Sequence, residues 1–346
     1  MSFKDTGLSE DKPGVGRGFD RLGIVLWTLQ AGPVIVLAAL VIVFVLIAPN
    51  FLTTRNLQNL IAQSAIVCAL GLGEFVVILV RGVDVSVGSV IALSTVVVSV
   101  ATGIDDPSSG AQIVLFPLVG LVVGLFNGLL IVKGRIPQPL VVTVATLGIA
   151  NGAALLVSGG DTRTGMSAVV NWAGNGHVAG APVSALFVLG LLGLLWVLLR
   201  KTQWGRWLYA VGGNPDVAQW LGLPRDRLII SAYAICGTTA GFAGLLYAGR
   251  TGAASPLAGL GYELDAITAV IIGGASLFGG RGSVVNVLFG ALIIGVIGNG
   301  LQHLDVSSFW APVAIGSIII VALEMDVARK WVETRIRVRQ ARRQQA

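Results

Sequence analysis

The sequence contains few charged residues and few of the residue types from which catalytic and metal sites are built. Charged side chains make up 12% of its 346 residues, whereas about a quarter are charged in an ordinary soluble domain. It has two histidines and two cysteines, and no His-Glu-x-x-His, Gly-x-Ser-x-Gly or metal-spaced Cys/His pattern occurs. A membrane enzyme is therefore the weakest interpretation, and we predict no catalytic residue and no metal site.

The few cysteines and histidines fit structural or solvated roles. Cys68 and Cys236 both lie inside apolar runs, where cysteine usually acts as a small packing residue rather than as half of a disulfide. His177 and His303 fall between apolar runs, where we expect them to be solvated.

Long apolar runs dominate what is present. Hydrophobic residues make up 55% of the chain, and runs of about 20 apolar residues, enough to cross a hydrocarbon core of about 30 Å, recur along most of it. The 47 glycines fit this pattern, because small residues let membrane helices pack closely. We predict an all-α polytopic membrane protein of about ten transmembrane helices, a number that falls if one short run is re-entrant.

The distribution of lysine and arginine predicts the orientation of the helices. Most basic residues lie on one side of the predicted topology, namely Arg81, Lys133, Arg135, Arg281 and those of segment 200–227 and of the tail; Arg55, Arg163 and Arg250 lie on the other. Because cytoplasmic connections are the richer in lysine and arginine, both termini are expected to be cytoplasmic. The net charge of +6 therefore reflects membrane topology, and no nucleic-acid partner is expected.

Three regions follow from these patterns. Residues 1–28 form a polar cytoplasmic leader, residues 29–325 the transmembrane domain, and residues 326–346 a basic cytoplasmic tail expected to lie against anionic lipid headgroups. Two connections exceed ordinary length, 158–180 outside and 200–227 in the cytoplasm, and they predict docking partners on both faces. The outer residues predicted to contact such a partner are Asp161, Arg163, Trp172 and, at the start of the eighth apolar run, Glu263.

The stretch 80–89 interrupts the apolar pattern with an arginine, an aspartate and two serines. Gly82 and Gly88 allow the backbone to leave the helix, and Asp84 and Ser86 are suited to cap a helix that restarts at about Val87. Two interpretations stay open. The stretch is either a helix break that faces a cavity inside the membrane, or a tight turn at the membrane surface with its charges solvated.

Polar residues within the spans are candidates for a substrate pathway, although neutral amides also form plain contacts between helices. Glu74 requires protonation, a cavity, or a partner such as Arg81 two turns further along. One functional hypothesis that these residues allow is an ion-coupled secondary transporter that uses Glu74 and Asp84 as proton sites. The candidate pathway residues are Glu74, Asp84, Ser86, Ser89, Asn127, Asn151 and Asn299.

The cytoplasmic connection contains a predicted short helix. Asn214 followed by Pro215 is a typical helix start and Gly222 a typical stop, so about two turns of surface helix are expected between them. This helix is either a docking element for a partner or an interfacial helix anchored by Trp220. The glycine-rich stretch 273–282 lacks the Lys-Ser/Thr pair of a phosphate-binding loop, so any ATP would be hydrolysed by another polypeptide.

Several motifs between about Asn50 and Leu323 resemble those of one known family. One is Gly82-Val83-Asp84-Val85-Ser86-Val87-Gly88-Ser89, which is similar to that family's Gly-Ile-Asp-Leu-Ser-Val-Gly-Ser. Further similar motifs are Gly124 with Asn127-Gly128, Thr143, Leu147, Gly205-Arg206, Tyr209-Ala210, Gly212-Gly213-Asn214, Gly261 to Ile267 and Gly273 to Ser283. Through these motifs the chain resembles the permease subunits of ribose/xylose/galactose-type bacterial ABC importers. The chain departs from the family at Arg81, at Glu74 and at Pro137-Gln138-Pro139-Leu140, which leaves the particular sugar open.

The resemblance implies a cobalamin-importer-like permease fold in the bacterial cytoplasmic (inner) membrane. It implies import of a monosaccharide or related polyol, delivered by an extracytoplasmic sugar-binding protein to this subunit and a second permease copy or paralogue. ATP and magnesium would be bound by partner ABC ATPase subunits, with no cofactor on this chain. The residues on which the ATPase would dock are Gly205, Arg206, Gly212, Gly213, Asn214, Asp216, Ala218 and Gly222.

Overall fold

The computed structural model describes residues 21–102, 110–307, 309–321 and 324. The predictions for residues 1–20 and for the tail 326–346 lie outside the described residues. The helices are α1 Arg21–Ile47, α2 Thr54–Leu79, α3 Val87–Thr102, α4 Ala111–Lys133, α5 Pro139–Ser158, α6 Ala168–Asn175, α7 Val183–Lys201, α8 Gln203–Gly213, α9 Pro215–Trp220, α10 Arg225–Thr251, α11 Tyr262–Ile272, α12 Val284–His303 and α13 Trp310–Val321. The strands are β1 Arg163–Thr164, β2 His177–Val178, β3 Ala181–Pro182 and β4 Ala253–Ala254.

Six of these helices, α2, α4, α5, α7, α10 and α12, are long and apolar enough to cross a membrane. The apolar parts of α1, α3 and α13 are shorter. The prediction of an all-α polytopic membrane protein is therefore confirmed. The eighth apolar run, in contrast, contains the 11-residue helix α11, which at about 16 Å reaches halfway across a hydrocarbon core.

Helix α2 lies at the centre of the molecule. Every residue from Ser64 to Leu79 is buried, and the helix contacts α7, α10, α11 and α12. Helix α12 runs antiparallel to it, because Asn56 pairs with Asn299 at one end and Gly71 packs on Val287 further along. A helix covered on all sides has no polar face, which explains the uninterrupted apolar run in its second half.

Glycines bring α4 and α10 into close contact. A Cβ atom added at Gly120 would lie 1.9 Å from the carbonyl oxygen of Gly237, and one added at Gly237 would lie 2.1 Å from that of Gly120. Gly124 and Gly241 meet the opposite backbone in the same way. Such small-residue contacts hold membrane helices together by close van der Waals packing, where lipid gives no hydrophobic driving force.

The substitution Gly237→Leu should therefore destabilise the protein by about 1–3 kcal/mol, because the new side chain must push two backbones apart. A thermal unfolding scan of the purified protein measures this as a lower melting temperature. Gly190→Leu on α7 is the matched control, since nothing lies within 4 Å of a Cβ atom at that position. An equal melting temperature for both variants would contradict the packing argument.

Both long connections contain ordered structure. In the connection after α5, β2 pairs with β3, and α6 lies between β1 and β2 in sequence. Strand β1 pairs with β4, which follows α10. In the other connection, the predicted short helix is confirmed as α9: the Asn214 side chain accepts a hydrogen bond from the Val217 amide at 3.2 Å, and the helix ends at Trp220. Helices α6 and α8 were not predicted. Cys68 and Cys236 are buried and free; Cys68 packs in the hydrophobic core as predicted, whereas Cys236 also lies beside Glu74.

Candidate functional site

The chain leaves α2 through a tight C-terminal cap. The Arg81 amide donates to the carbonyl of Ile78 at 3.0 Å, and the Gly82 amide donates to that of Val77 at 3.0 Å. Arg81 has the positive φ of 67° that this cap requires, at a position where glycine is usual. Segment 80–86 is not helical, and α3 begins at Val87 as predicted. We call segment 80–86 the break.

A buried hydrogen-bond network fixes the break against α2. The Asp84 amide donates to Glu74 Oε1 at 3.1 Å. Asp84 Oδ1 in turn accepts from the Ser86 amide at 3.0 Å and from the Ser86 hydroxyl at 2.5 Å. These three residues are at most 1% exposed. Because a buried carboxylate is costly unless its oxygens are hydrogen-bonded, the local turn and the carboxylates stabilise each other.

Three further helices complete the network. Asn127 of α4 donates to the Ser86 hydroxyl at 2.9 Å and to Asp84 Oδ2 at 3.3 Å, and it accepts from Thr146 of α5 at 2.6 Å. From α10, the Cys236 thiol lies 3.7 Å from Glu74 Oε2. The network therefore joins four predicted pathway residues, Glu74, Asp84, Ser86 and Asn127, but in this conformation they are enclosed and line no open channel.

Tyr233 of α10 lies beside the break. Its side chain is fully buried, and a Cβ atom added at Gly82 would lie 2.4 Å from its hydroxyl oxygen. That hydroxyl forms no hydrogen bond with any described residue. Tyr233, Thr146 and Cys236 are members of the site that sequence reasoning missed. The sequence distinguishes these three residues in one way only: each places a group capable of hydrogen bonding inside an apolar run.

Each of the two interpretations of the stretch 80–89 is correct for part of it. Arg81 is exposed, as in a surface turn, whereas Asp84, Ser86 and Ser89 are buried, as in an internal break. Arg81 does not pair with Glu74, because its guanidinium points to α8. The interpretation of Glu74 and Arg81 as an ion pair is therefore wrong, since the cap turns the chain away before the second helical turn is completed.

Arg81 ties the end of α2 to the end of α8. Its Nε donates to the Gly212 carbonyl at 2.7 Å and its Nη2 to the Gly213 carbonyl at 3.0 Å. These are the last carbonyls of α8, where a cation is also favoured by the helix dipole. Gly212 must be glycine, because a Cβ atom there would lie 1.6 Å from the Leu79 carbonyl oxygen.

The glycine-rich loop 273–282 closes over this junction. The Gly280 amide donates to the Leu79 carbonyl at 2.9 Å, and the Tyr209 hydroxyl of α8 donates to the Gly282 carbonyl at 3.1 Å. Burial raises the pKa of Tyr209, so its hydroxyl keeps the proton that it donates. The ends of α2 and α8 and this loop form one interlocked unit.

Helix α9 projects from the interlocked unit as an apolar knob. Trp220 is 84% and Leu221 71% exposed, whereas Ala218 is buried beneath them. Such exposed apolar groups on a polar face are typical of a contact site for another molecule. Among the other residues predicted to dock a partner, Gly205 packs on the Leu199 backbone, Gly222 has a φ of 71°, and Arg206, Asn214 and Asp216 are exposed.

Most of the remaining predicted residues lie away from the break network; Ser89 is the exception, because it bonds to Ser86. Asn299 pairs with Asn56 at the opposite end of α2, Ser89 donates to the Ser86 carbonyl at 2.7 Å, and Asn151 is half-buried on α5. Asp161, Arg163 and Trp172 are exposed on the outer connection. Glu263 lies apart from them, with its carboxylate against Gly88 in the first turn of α3. Among the described residues, no group of three or more His, Cys, Asp or Glu could hold a metal ion.

Comparison with known proteins identifies the family. Residues 56–323 match the family described as branched-chain amino acid transport system / permease component. The chain is 40% identical to a ribose import permease of Bacillus subtilis over 86% of this chain and 92% of the relative. It is 39% identical to a D-allose transport system permease of Escherichia coli, over 85% and 90%. It is 31% identical to a galactose/methyl galactoside import permease of that species, over 86% and 94%.

No solved structure matches the chain. The resemblance to bacterial ABC sugar-importer permeases, which rests on motifs around the break and in segment 205–214, is confirmed by these relatives. The chain belongs to the permease-component family of branched-chain amino acid transport systems, as a multi-pass membrane protein of the type found in ABC sugar importers.

Proposed function

We propose that this chain is the transmembrane permease subunit of an ABC importer that translocates a monosaccharide or related polyol. In this proposal, an extracytoplasmic binding protein delivers the sugar to the outer face, and ATP hydrolysis on partner subunits drives its passage. The subunit lies in the bacterial cytoplasmic membrane with both termini inside and works beside a second copy or a paralogue. It acts as a transport subunit rather than an enzyme; ATP and magnesium belong to the partner ATPase.

The observation that carries this proposal is the connection between the exposed α9 knob and the interior. Helix α9 follows α8 directly, α8 is bonded through its last carbonyls to Arg81, and Arg81 begins the break that contains Asp84. A partner that moves α9 can therefore displace the buried network through α8 and Arg81. No membrane-spanning helix has to unfold for this. Packed units of this kind switch between discrete arrangements rather than deforming continuously.

The relatives support sugar as the substrate. The matched proteins are named as ribose, allose, fructose and galactose import permeases, and their matches cover most of this chain. The proposed cobalamin-importer-like arrangement of about ten helices accommodates α11 as a half-length helix that contacts α2, α3 and α12.

Reconstitution tests the proposal directly. The permease, its ATPase and its binding protein are incorporated in proteoliposomes with labelled ribose outside and ATP at the nucleotide-binding face. We expect uptake only when all three components and ATP are present. Uptake at the full rate by the permease alone, without nucleotide, would sink the proposal.

The rival, an ion-coupled secondary transporter, is favoured by one observation, the burial of Glu74 and Asp84 in a single network. Buried carboxylates are common in proton-coupled carriers. The two functions respond oppositely in the same vesicles. A proton ionophore stops an ion-coupled carrier and leaves ATP-driven uptake intact, whereas removal of ATP does the reverse.

A further inference from the structure

A polar cleft opens at the outer face between α2, α10 and α12. Its volume is about 380 Å³, within the range of small-molecule sites. Five of its seven lining residues carry side-chain amides, and none carries a carboxylate. The lining residues are Asn56, Asn59, Gln63, Arg250, Asn299, Gln302 and His303.

The cleft contains polar groups at a depth where lipid cannot satisfy them. Asn56, Asn59 and Gln63 follow one another at intervals of three and four residues, so they form one stripe on α2. Gln63 lies nine residues into the helix, about 13 Å from its first residue. An unbonded amide at that depth must face water or another polar surface, so the cleft continues the aqueous outer mouth.

One part of the lining is rigid. The Asn56 amide donates to Asn299 Oδ1 at 2.9 Å, and Asn299 donates back to Asn56 Oδ1 at 2.8 Å. Asn56 also donates to the Phe51 carbonyl at 2.8 Å. The rings of Phe51 and His303 pack edge to face, with their centroids 6.3 Å apart. These contacts fix one side of the cleft before any ligand arrives.

The other part of the lining is free to bind. Asn59, Gln63 and Gln302 form no side-chain hydrogen bond with any described residue. Each amide offers both donors and an acceptor, which matches hydroxyl groups that donate and accept at once. A cation would find no carboxylate here, so a neutral hydroxyl-rich molecule is the best match.

The wall formed by Arg250 is connected to the outer connection. Asn175 of α6 donates to the carbonyls of Gly249 at 2.8 Å and Arg250 at 3.1 Å. Gly174 packs directly on Gly249. A partner that docks on the outer connection therefore contacts an element that positions one wall of the cleft.

We propose that this cleft is the first site on the chain that a neutral polyhydroxylated solute occupies when it leaves its outer partner. The inference rests on the proposed function and adds a location and the chemistry of recognition. The cleft is open, and most of its lining residues contribute one side-chain amide each. We therefore expect a low affinity for the solute, which lets the solute move onward.

The double substitution Gln63→Leu/Gln302→Leu tests this site. Neither amide has a protein partner, so their removal orphans no buried group and the fold is retained. In vesicles with ATPase and binding protein, we expect ribose uptake to fall about five- to tenfold, because two hydrogen bonds to sugar are lost. ATPase stimulation by the loaded binding protein should stay unchanged. Gln138→Leu, an exposed amide at the other face, is the matched control.

Thiol labelling tests occupancy without requiring transport. The native cysteines are buried, so Asn59→Cys supplies the only exposed thiol among the described residues. A membrane-impermeant reagent should label it from outside, and excess ribose should slow the labelling. If ribonate protects instead and Arg250→Gln removes that protection, the ligand is a sugar acid and the neutral assignment is overturned.

A failure of the cleft proposal can be distinguished from a failure of the proposed function. Ribose uptake by the double variant within about twofold of wild type, together with no protection by ribose, removes the cleft from the pathway and leaves the proposed function standing. If instead the intact wild-type complex shows no ATP-dependent uptake of any sugar, the proposed function itself fails.

Discussion

Replacing Asp84 with alanine is expected to reduce uptake by the assembled transporter to less than about one hundredth of the wild-type rate. The carboxylate accepts from the Ser86 amide, the Ser86 hydroxyl and Asn127, and all of these groups are buried. The Ser86 amide and hydroxyl lose their acceptor, whereas Asn127 keeps its bond to the Ser86 hydroxyl. At about 1–3 kcal/mol for each orphaned donor, the native break loses on the order of three powers of ten in population. Labelled ribose uptake, divided by the amount of complex recovered, measures the loss.

The Asp84→Asn variant separates hydrogen bonding from charge. Asparagine keeps one oxygen for the two bonds from Ser86 but places an amide donor opposite the amide donor of Asn127, so we expect a decrease of about tenfold. Ser89→Ala is the matched buried control, because that hydroxyl only donates to a carbonyl that already accepts from the Val90 amide. An asparagine variant as inactive as alanine would favour the ion-coupled rival, whereas near-wild-type uptake by both would exclude Asp84 from the mechanism.

Much of this site is visible in the sequence because membrane helices tolerate few polar groups. The break, the restart of helix at Val87 and the start of α9 at Asn214-Pro215 each follow from local chemistry. The partners of Asp84 on other helices do not. Asn127 was visible as a polar interruption, but nothing in one sequence places α4 and α10 against the break.

The failures have equally local causes. Hydropathy predicted a full span where α11 is a half-length helix, because the apolar composition extends beyond the helix itself. Helical spacing allowed a Glu74–Arg81 pair as one of three alternatives for Glu74, but the spacing applies only while the helix continues, and the cap at Arg81 ends it. Helix α8 was missed because its buried face packs on the ends of other elements rather than on lipid.

The second large effect concerns Arg81. Arg81→Gly should leave the backbone of the cap unstrained, because glycine adopts a φ of 67° without steric cost. It deletes the two hydrogen bonds to Gly212 and Gly213, which fasten the last carbonyls of α8 to the start of the break. We expect the complex to assemble, ATP hydrolysis to continue, and sugar uptake per ATP to fall about tenfold or more.

Arg135→Gly is a closely matched control. Arg135 also has a positive φ, of 51°, lies on the same face, and forms no side-chain hydrogen bond with a described residue. The Arg135→Gly substitution removes the same charge and relieves the same backbone conformation, but it leaves the hydrogen bonds to α8 in place. Its ratio of uptake to ATP hydrolysis should therefore equal that of the wild type, while Arg81→Lys, which can reach only as a single ammonium, should recover part of the coupling.

A structural explanation and a coupling explanation predict different results for Arg81→Gly. If the arginine only stabilised the fold, uptake and ATP hydrolysis would fall together with the amount of folded complex. If it transmits motion from α9 to the break, hydrolysis persists while uptake is lost, because α8 moves without pulling on the network around Asp84. An unchanged ratio of sugar to ATP in Arg81→Gly would show that the motion reaches the membrane helices by another contact, of which the Gly280–Leu79 hydrogen bond is the nearest.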